Sequence, residues 1–313
     1  MYHEFVLPNG NLNDQKVIRK EKLYQGLNDR LVERVFFEND RSYIFKSIKT
    51  KTPIKQELWV HQHILKDFPA IFPKIVAHHY SSNFDESWIL MEDFGSIKHE
   101  YSRKLLAKVT NYIAWWHAFP TSKEELNTLQ GQKPTIEDIQ HSLINEKAMV
   151  IEIIKEIDWS EKDSNLFFQK VVHKTFEYKK VVSHGDLHLG NFGYTTNMDV
   201  VVIDWEHLHL NIPHWDLYFL IDSTHPEFPK MPDQTVREET LHNYLNTIQI
   251  TDPNLRKTFI ADYYRFSLIF SIWMLLLINK DLHEKETNWS KEQLKRQQKE
   301  TIAVIEQCKK RVM

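Results

Sequence analysis

Asp186, Asn191 and Asp204 are the residues of this 313-residue chain whose types and spacing could do chemistry. They stand in Ser183-His184-Gly185-Asp186-Leu187-His188-Leu189-Gly190-Asn191 and in Ile203-Asp204-Trp205-Glu206. Residues 191 to 194 read as a strand, 195 to 198 as a turn and 199 to 203 as the returning strand. Antiparallel partners lie about 5 Å apart, so Asn191 and Asp204 are expected to face each other across the open end of a hairpin. An amide oxygen beside a carboxylate suits a hard cation such as Mg²⁺, which takes oxygen ligands and leaves room for phosphates. Asp186 on the preceding loop could then accept the proton of an attacking hydroxyl. Singly, each residue would pass as a loop former or a strand cap. Together they spell the equipment for Mg²⁺-assisted phosphoryl transfer.

Such chemistry needs a nucleotide site, and the upstream chain offers one. Residues 17 to 24, 31 to 37 and 41 to 48 read as three strands, and 52 to 66 as a helix with Pro53 in its first turn. Side chains alternate along a strand, which puts Lys46 on one face with Ile44 and Ile48. A lysine on an apolar face needs an anion, and Glu57 on the following helix can supply it. Residues 75 to 80 and 87 to 91 read as two further strands. The second leads into Met91-Glu92-Asp93-Phe94-Gly95, where backbone groups near Met91, Glu92 and Phe94 could meet an adenine. Asp93-Phe94-Gly95 spells the kinase metal motif, but it lies before the catalytic loop instead of after it, so Asp204 is taken as the metal residue. A P-loop is absent, as is Gly-x-Gly-x-x-Gly. Only Gly26-Leu27-Asn28 lies where a phosphate-covering loop would fall, between the first two strands.

The remaining pattern is helical: residues 102 to 119, 135 to 157 and 165 to 178, then, after a β interlude from 180 to 204, helices to the end. Ser290 and Gln293 form a capping box for the last one, with Leu294, Thr301, Ile305, Cys308 and Val312 on one face. The fold class expected is therefore α+β and bilobal. Residues 1–94 form a small antiparallel-sheet lobe with one main helix, and 95–313 a larger, mostly helical lobe.

His184-Gly185-Asp186-Leu187-His188-Leu189-Gly190-Asn191 with Ile203-Asp204-Trp205-Glu206 strongly resembles the aminoglycoside phosphotransferase and choline kinase-like superfamily, which shares the protein-kinase-like fold. The likeness spans about residues 23 to 220 and includes the Lys46/Glu57 pair, Leu90-Met91-Glu92 and Trp116-His117. The resemblance implies Asp186 as catalytic base, Asn191 and Asp204 as Mg²⁺ ligands, and Lys46 as phosphate anchor oriented by Glu57. It implies an adenine hinge at Met91, Glu92 and Phe94. Asp216 would brace the catalytic loop, with a helix N-cap as the equal alternative, and His188 would support the loop. The cofactors implied are ATP or GTP with Mg²⁺, and the partner a small molecule with a hydroxyl group. A cationic acceptor would want acidic and aromatic neighbours, and Glu206, Asp222, Trp215 and Tyr218 are close in sequence.

Two other readings stand beside this one. A non-catalytic kinase-like protein is suggested by the glycine-poor loop, and opposed by the intact Asp186, Asn191 and Asp204. A metal-dependent hydrolase could use His207, His209 and His214, yet Phe192 follows Asn191 where that motif wants a histidine. Composition narrows the field further. A net charge of −3 shows no nucleic-acid footprint. The apolar run from Phe266 to Ile278 is too short to span a bilayer and reads as a core helix. One cysteine, Cys308, and an N-terminus without a basic or apolar leader segment suit a cytoplasmic protein.

Overall fold

The computed structural model describes residues 5–25, 31–37, 41–48, 54–83, 86–231, 233–284 and 287–313. The chain forms two compact units. One comprises Met1–Lys98 with Tyr194–Glu206, the other His99–Gly193 with His207–Met313.

The first unit is built on an antiparallel sheet of β1 (Arg19–Gln25), β2 (Leu31–Phe36), β3 (Ser42–Ile48), β4 (Ile75–His79) and β5 (Ser87–Glu92), in the order β1-β2-β3-β5-β4. Period-two alternation divides its apolar side chains between two faces. Phe45, Trp88 and Leu90 join Val6, Leu12, Val35 and Phe37 on one face. Ile89 and Met91 pack with Leu58, Ile44 and Ile75 on the other. Leu58 comes from α1 (Ile54–His63), so this second face is the one the helix covers. In β3 the residue aligned with Ile89 of β5 is Lys46. The strand pattern thereby puts an ammonium in an otherwise apolar layer. Gly26 and Asn28, the expected phosphate-loop residues, lie outside the described residues, as does the Thr52-Pro53 helix start.

The second unit is mostly helical. It contains α2 (Arg103–His117), α3 (Ile136–Asn145), α4 (Lys147–Glu156), α5 (Glu161–Leu166), α6 (His214–Ile221), α7 (Gln234–Thr247), α8 (Pro253–His283) and α9 (Lys291–Val312). The helix expected over 135 to 157 is two helices. Glu146 leaves helical geometry at φ −97 and ψ 22, while Leu143 and Val150 stay buried on either side. The apolar period continues across the break, which hides it. The helix expected over 165 to 178 is also different. α5 starts at a Ser160–Asp163 capping box, passes into a π turn over Phe167–Val171, and stops before Phe176. α8 contains the long apolar run and is a core helix, with 72% of its most apolar window buried. α9 opens with the Ser290–Gln293 capping box and buries Leu294, Thr301, Ile305 and Cys308 against α8.

Short strands carry the loops that matter. β6 (Val181–Ser183) pairs antiparallel with β9 (His209–Asn211), and β7 (Phe192–Tyr194) with β8 (Val200–Val202). The second pair is the expected hairpin. Its tip includes Met198 at φ 65.

Candidate active site

In the first unit Lys46 lies between two carboxylates. Its Nζ donates to Glu57 Oε1 at 2.9 Å and to Asp204 Oδ1 at 2.8 Å. Lys46 and Glu57 are buried, at 8% and 1% exposure, so the ion pair is desolvated and neither partner can be removed cheaply. One helix sets both contacts. From α1, Glu57 reaches Lys46, while Gln56 Nε2 donates to the carbonyl of Glu206, two residues past Asp204, at 2.8 Å. Trp205 secures the same turn, donating its Nε1 to the Val202 carbonyl and packing edge-on against Phe68. Asp204 itself has φ 67. This left-handed conformation is uncommon for a residue with a side chain and is held here by the contacts around it.

The literal Asp93-Phe94-Gly95 does a different job. Asp93 accepts from Arg34 Nε at 2.6 Å and Nη2 at 3.2 Å, and from the Gly95 amide. The carboxylate locks a turn in which Gly95 has φ 74. Met91 belongs to the apolar layer under α1. Glu92 exchanges bonds with Lys74: its amide donates to the Lys74 carbonyl, and its Oε2 accepts from the Lys74 amide. Phe94, the third expected adenine contact, is part of the non-strand segment that follows β5.

In the second unit the His184–Asn191 segment leaves β6 at Ser183 and is held by Asp216 from the first turn of α6. Asp216 Oδ1 accepts from Ser183 Oγ at 2.6 Å and the Gly185 amide at 3.4 Å. Its Oδ2 accepts from the His184 amide at 3.0 Å and Trp116 Nε1 at 2.8 Å, with His117 Nε2 at 3.2 Å. Burial alone would raise this carboxyl's pKa, but the bond and charge of His117, then Ser183, hold it well below the carboxylate range. Pro213 occupies the N-cap position of α6, so of the two readings of Asp216 the geometry favours bracing. Trp215 adds a bond from Nε1 to the Gly185 carbonyl at 3.0 Å. Gly185 is required for two reasons. Its φ is 90, and a Cβ there would lie 2.1 Å from the His207 carbonyl oxygen.

Asp186 and Asn191 meet through the backbone. Asn191 Nδ2 donates to the Asp186 carbonyl at 2.7 Å. That bond identifies the amide's two ends and leaves Oδ1 as the ligand-capable atom. His188 supports the loop as expected: Nδ1 accepts from the Gly190 amide, and Nε2 lies 3.7 Å from Asp186 Oδ2. Lys133 was not anticipated. Its Nζ donates to Asp186 Oδ1 at 2.8 Å. Burial pushes the Asp186 carboxyl up, while Lys133, then His188 and His207, bring it well below its usual range. Lys133 stands in an irregular loop before α3, far upstream in sequence. The available signal was Gly131, where a Cβ would lie 2.6 Å from the His209 ring, so glycine lets this loop approach β9.

Residues suggested for a cationic acceptor and for a metal-dependent hydrolase have structural partners. Asp222 forms a fully buried ion pair with Arg237 at 2.7 Å and also accepts from Tyr263 and Ser267. Trp215 and Tyr218 are core residues. His209 bonds the His207 carbonyl and Asn211, while His214 lies stacked on Phe259. Among the described residues no three His, Cys, Asp or Glu side chains are grouped to hold a metal ion, so the zinc-type hydrolase finds no support there.

A five-stranded antiparallel sheet with a lysine–helix glutamate pair, followed by a helical region carrying the braced aspartate loop, defines a kinase-like fold. The chain belongs to the APH phosphotransferase enzyme family, whose model matches residues 59–254. No curated protein matches it. Among solved structures, choline kinase from Cryptosporidium parvum Iowa II superposes with a TM-score of 0.63 at 14% identity, covering 99% of this chain and 94% of that one. The GDP complex of aminoglycoside 2'-phosphotransferase-IIIa gives 0.60 at 16% identity, covering 92% and 94%. Macrolide 2'-phosphotransferase type I gives 0.55 at 14% identity, covering 90% and 89%. At these identities the likeness establishes the fold.

Proposed function

We propose that this protein transfers the γ-phosphoryl group of ATP or GTP to a hydroxyl of a small molecule, either a metabolite alcohol or an antibiotic of the aminoglycoside kind. The observation that carries the reading is the buried Lys46 held jointly by Glu57 and Asp204. An ammonium so placed is oriented for phosphate oxygens, with Glu57 as its fixed partner. Met91, Glu92 and Phe94 remain the segment assigned to the adenine.

Asp204 and Asn191 each have the oxygen chemistry that Mg²⁺ takes. Asp204 offers a carboxylate, and Asn191, with its nitrogen spent on Asp186, offers an amide oxygen. When bound, the ion would neutralise charge on the phosphate oxygens. The chain's own work is orientation. Lys46 would hold the phosphates, and Asp186 would hold the acceptor hydroxyl and take its proton. The acceptor oxygen then bonds to the γ-phosphorus as the bridge to the β-phosphate breaks. Nucleoside diphosphate leaves, and the proton passes from Asp186 to water. An Asp186 held well below the usual carboxylate range is a weak base, which suits a loose transition state that needs positioning more than deprotonation.

The test is acceptor-dependent ATP and GTP consumption over aminoglycosides, macrolides, choline-like alcohols and sugars, with Asp186→Asn and Asp204→Asn as controls. Wild type should exceed both variants on at least one acceptor class. Parity on every acceptor contradicts the reading.

A further inference from the structure

An ammonium and an imidazole flank Asp186. Lys133 Nζ is 2.8 Å from one carboxylate oxygen, and His188 Nε2 is 3.7 Å from the other. The Lys133 side chain is about one-fifth exposed and its ammonium rides over the Phe219 ring, 4.7 Å from the centroid. An ammonium has three donors, so the bonds to Asp186 at 2.8 Å and to Gln132 Oε1 at 3.5 Å leave one for a further oxygen partner. His188 is backed by His225, stacked at 4.4 Å and 6°. Two buried acidic groups of this unit are already paired. Asp222 belongs to Arg237, and Asp216 to Ser183, Trp116 and the loop amides.

An amine- or ammonium-bearing acceptor brought to Asp186 would therefore stand beside the like charge of Lys133. A carboxylate or phosphate placed next to its hydroxyl would instead find a charge-assisted partner. Resting on the phosphotransferase reading, we infer that the acceptor is a hydroxyl compound carrying an anionic group, and that Lys133 is the residue that selects it. The hydroxyl still presents its oxygen to the γ-phosphorus and gives its proton to Asp186. Lys133 Nζ spans the two, bonded to Asp186 and to the acceptor's anion. It is a specificity residue; the transfer itself passes through Asp186.

Matched acceptors test this. Glucose, glucuronate and glucosamine form one series; glycerol, glycerate and glycerophosphate form another. Choline and kanamycin serve as cationic probes. Each is assayed for ATP and GTP consumption and, separately, for thermal stabilisation of the protein. With wild type, anionic members should exceed their neutral partners in kcat/KM by about ten- to a hundredfold, the scale of one hydrogen bond between charged groups. Lys133→Met should abolish that ratio, chiefly by raising KM for the anions, while glucose and glycerol change together and much less. Glycerate against glycerophosphate tells carboxylate from phosphate. Preference for glucosamine, choline or kanamycin overturns the inference and leaves phosphoryl transfer standing. So does an anion preference that survives in Lys133→Met, or an equal loss on every acceptor. If nothing is turned over but anions stabilise wild type and not Lys133→Met, the phosphotransferase reading falls and the anion site stands. If neither turnover nor stabilisation occurs, both fall.

Discussion

Lys46 answers to Glu57 and Asp204 at once, and that dual pairing governs what its removal would do. Lys46→Met leaves Glu57 as a buried carboxylate without its cation, a loss of about 3–5 kcal/mol for a broken buried pair. If Lys46 holds the phosphates as proposed, the same variant should weaken turnover on the order of a hundredfold. Glu57→Gln keeps a hydrogen-bonding oxygen and should cost less stability, while raising the nucleotide KM because Lys46 loses its ionic anchor. Calorimetry together with nucleotide-dependent kinetics separates the two effects. Lys46 and Glu57 could be read from sequence because period-two alternation and one helix turn are enough to join them. Lys133 could not. It stands in a loop with no period, and only the fold brings it to Asp186. Asp222, Trp215 and Tyr218, near the motif in sequence, misled for a related reason. Asp222 is close in sequence, yet its charge is consumed by Arg237 from α7.

The loop after β6 works as a unit because α6 presents Asp216 and Trp215 to it on successive residues. Gly185→Ala forces a Cβ into the His207 carbonyl at a left-handed φ, so the loop must move. The expected result is a loss of at least about 1–3 kcal/mol and of most activity, read by thermal unfolding and kinetics. Asp216→Asn keeps the shape but lacks the charge and puts a donor where acceptors are needed. It should lower stability by roughly 1–3 kcal/mol and depress kcat more than KM, because the loop that aims Asp186 loosens. Hydrogen exchange at the His184 and Gly185 amides should rise in that variant and not in a core control such as Leu268→Ala. At this scale the sequence reads unevenly. Strands of the sheet, the β7–β8 hairpin and the Ser290 capping box follow from alternation and capping chemistry. β9 escapes because three residues carry no period. The break at Glu146 escapes because the buried positions keep helical phase across it, and the π turn at Phe167 likewise preserves an apolar face.

Across the whole molecule, buried histidines tie stability to pH. Burial lowers His214 to about 4, while His61 and His225 fall to about 3. The unfolded chain takes up protons near pH 6.5 at each of these positions, and the folded chain does not until pH 4 or below. The histidines' contribution is therefore full above about pH 7 and falls as pH drops, by up to about 1.4 kcal/mol per pH unit for each. Asp216 is also shifted downward, so its contribution is retained until pH falls to the usual carboxylate range near 4 and is lost below it. Unfolding midpoints should thus decline between pH 6.5 and 4.5, and His214→Gln should flatten the slope. A pH-independent midpoint over that range contradicts the neutral burial of these side chains.

Phosphoryl transfer through Asp186 is tested most directly by following the transferred group. A nucleoside triphosphate labelled on its γ-phosphoryl group is incubated with the protein, Mg²⁺ and the pooled acceptors, and the label is followed. Wild type should move label onto an acceptor, and Asp186→Asn should do so at least about a hundredfold more slowly, the scale of a lost positioned acid–base group. Label that stays on the nucleotide, that appears only as free phosphate, or that moves equally fast with Asp186→Asn contradicts the account.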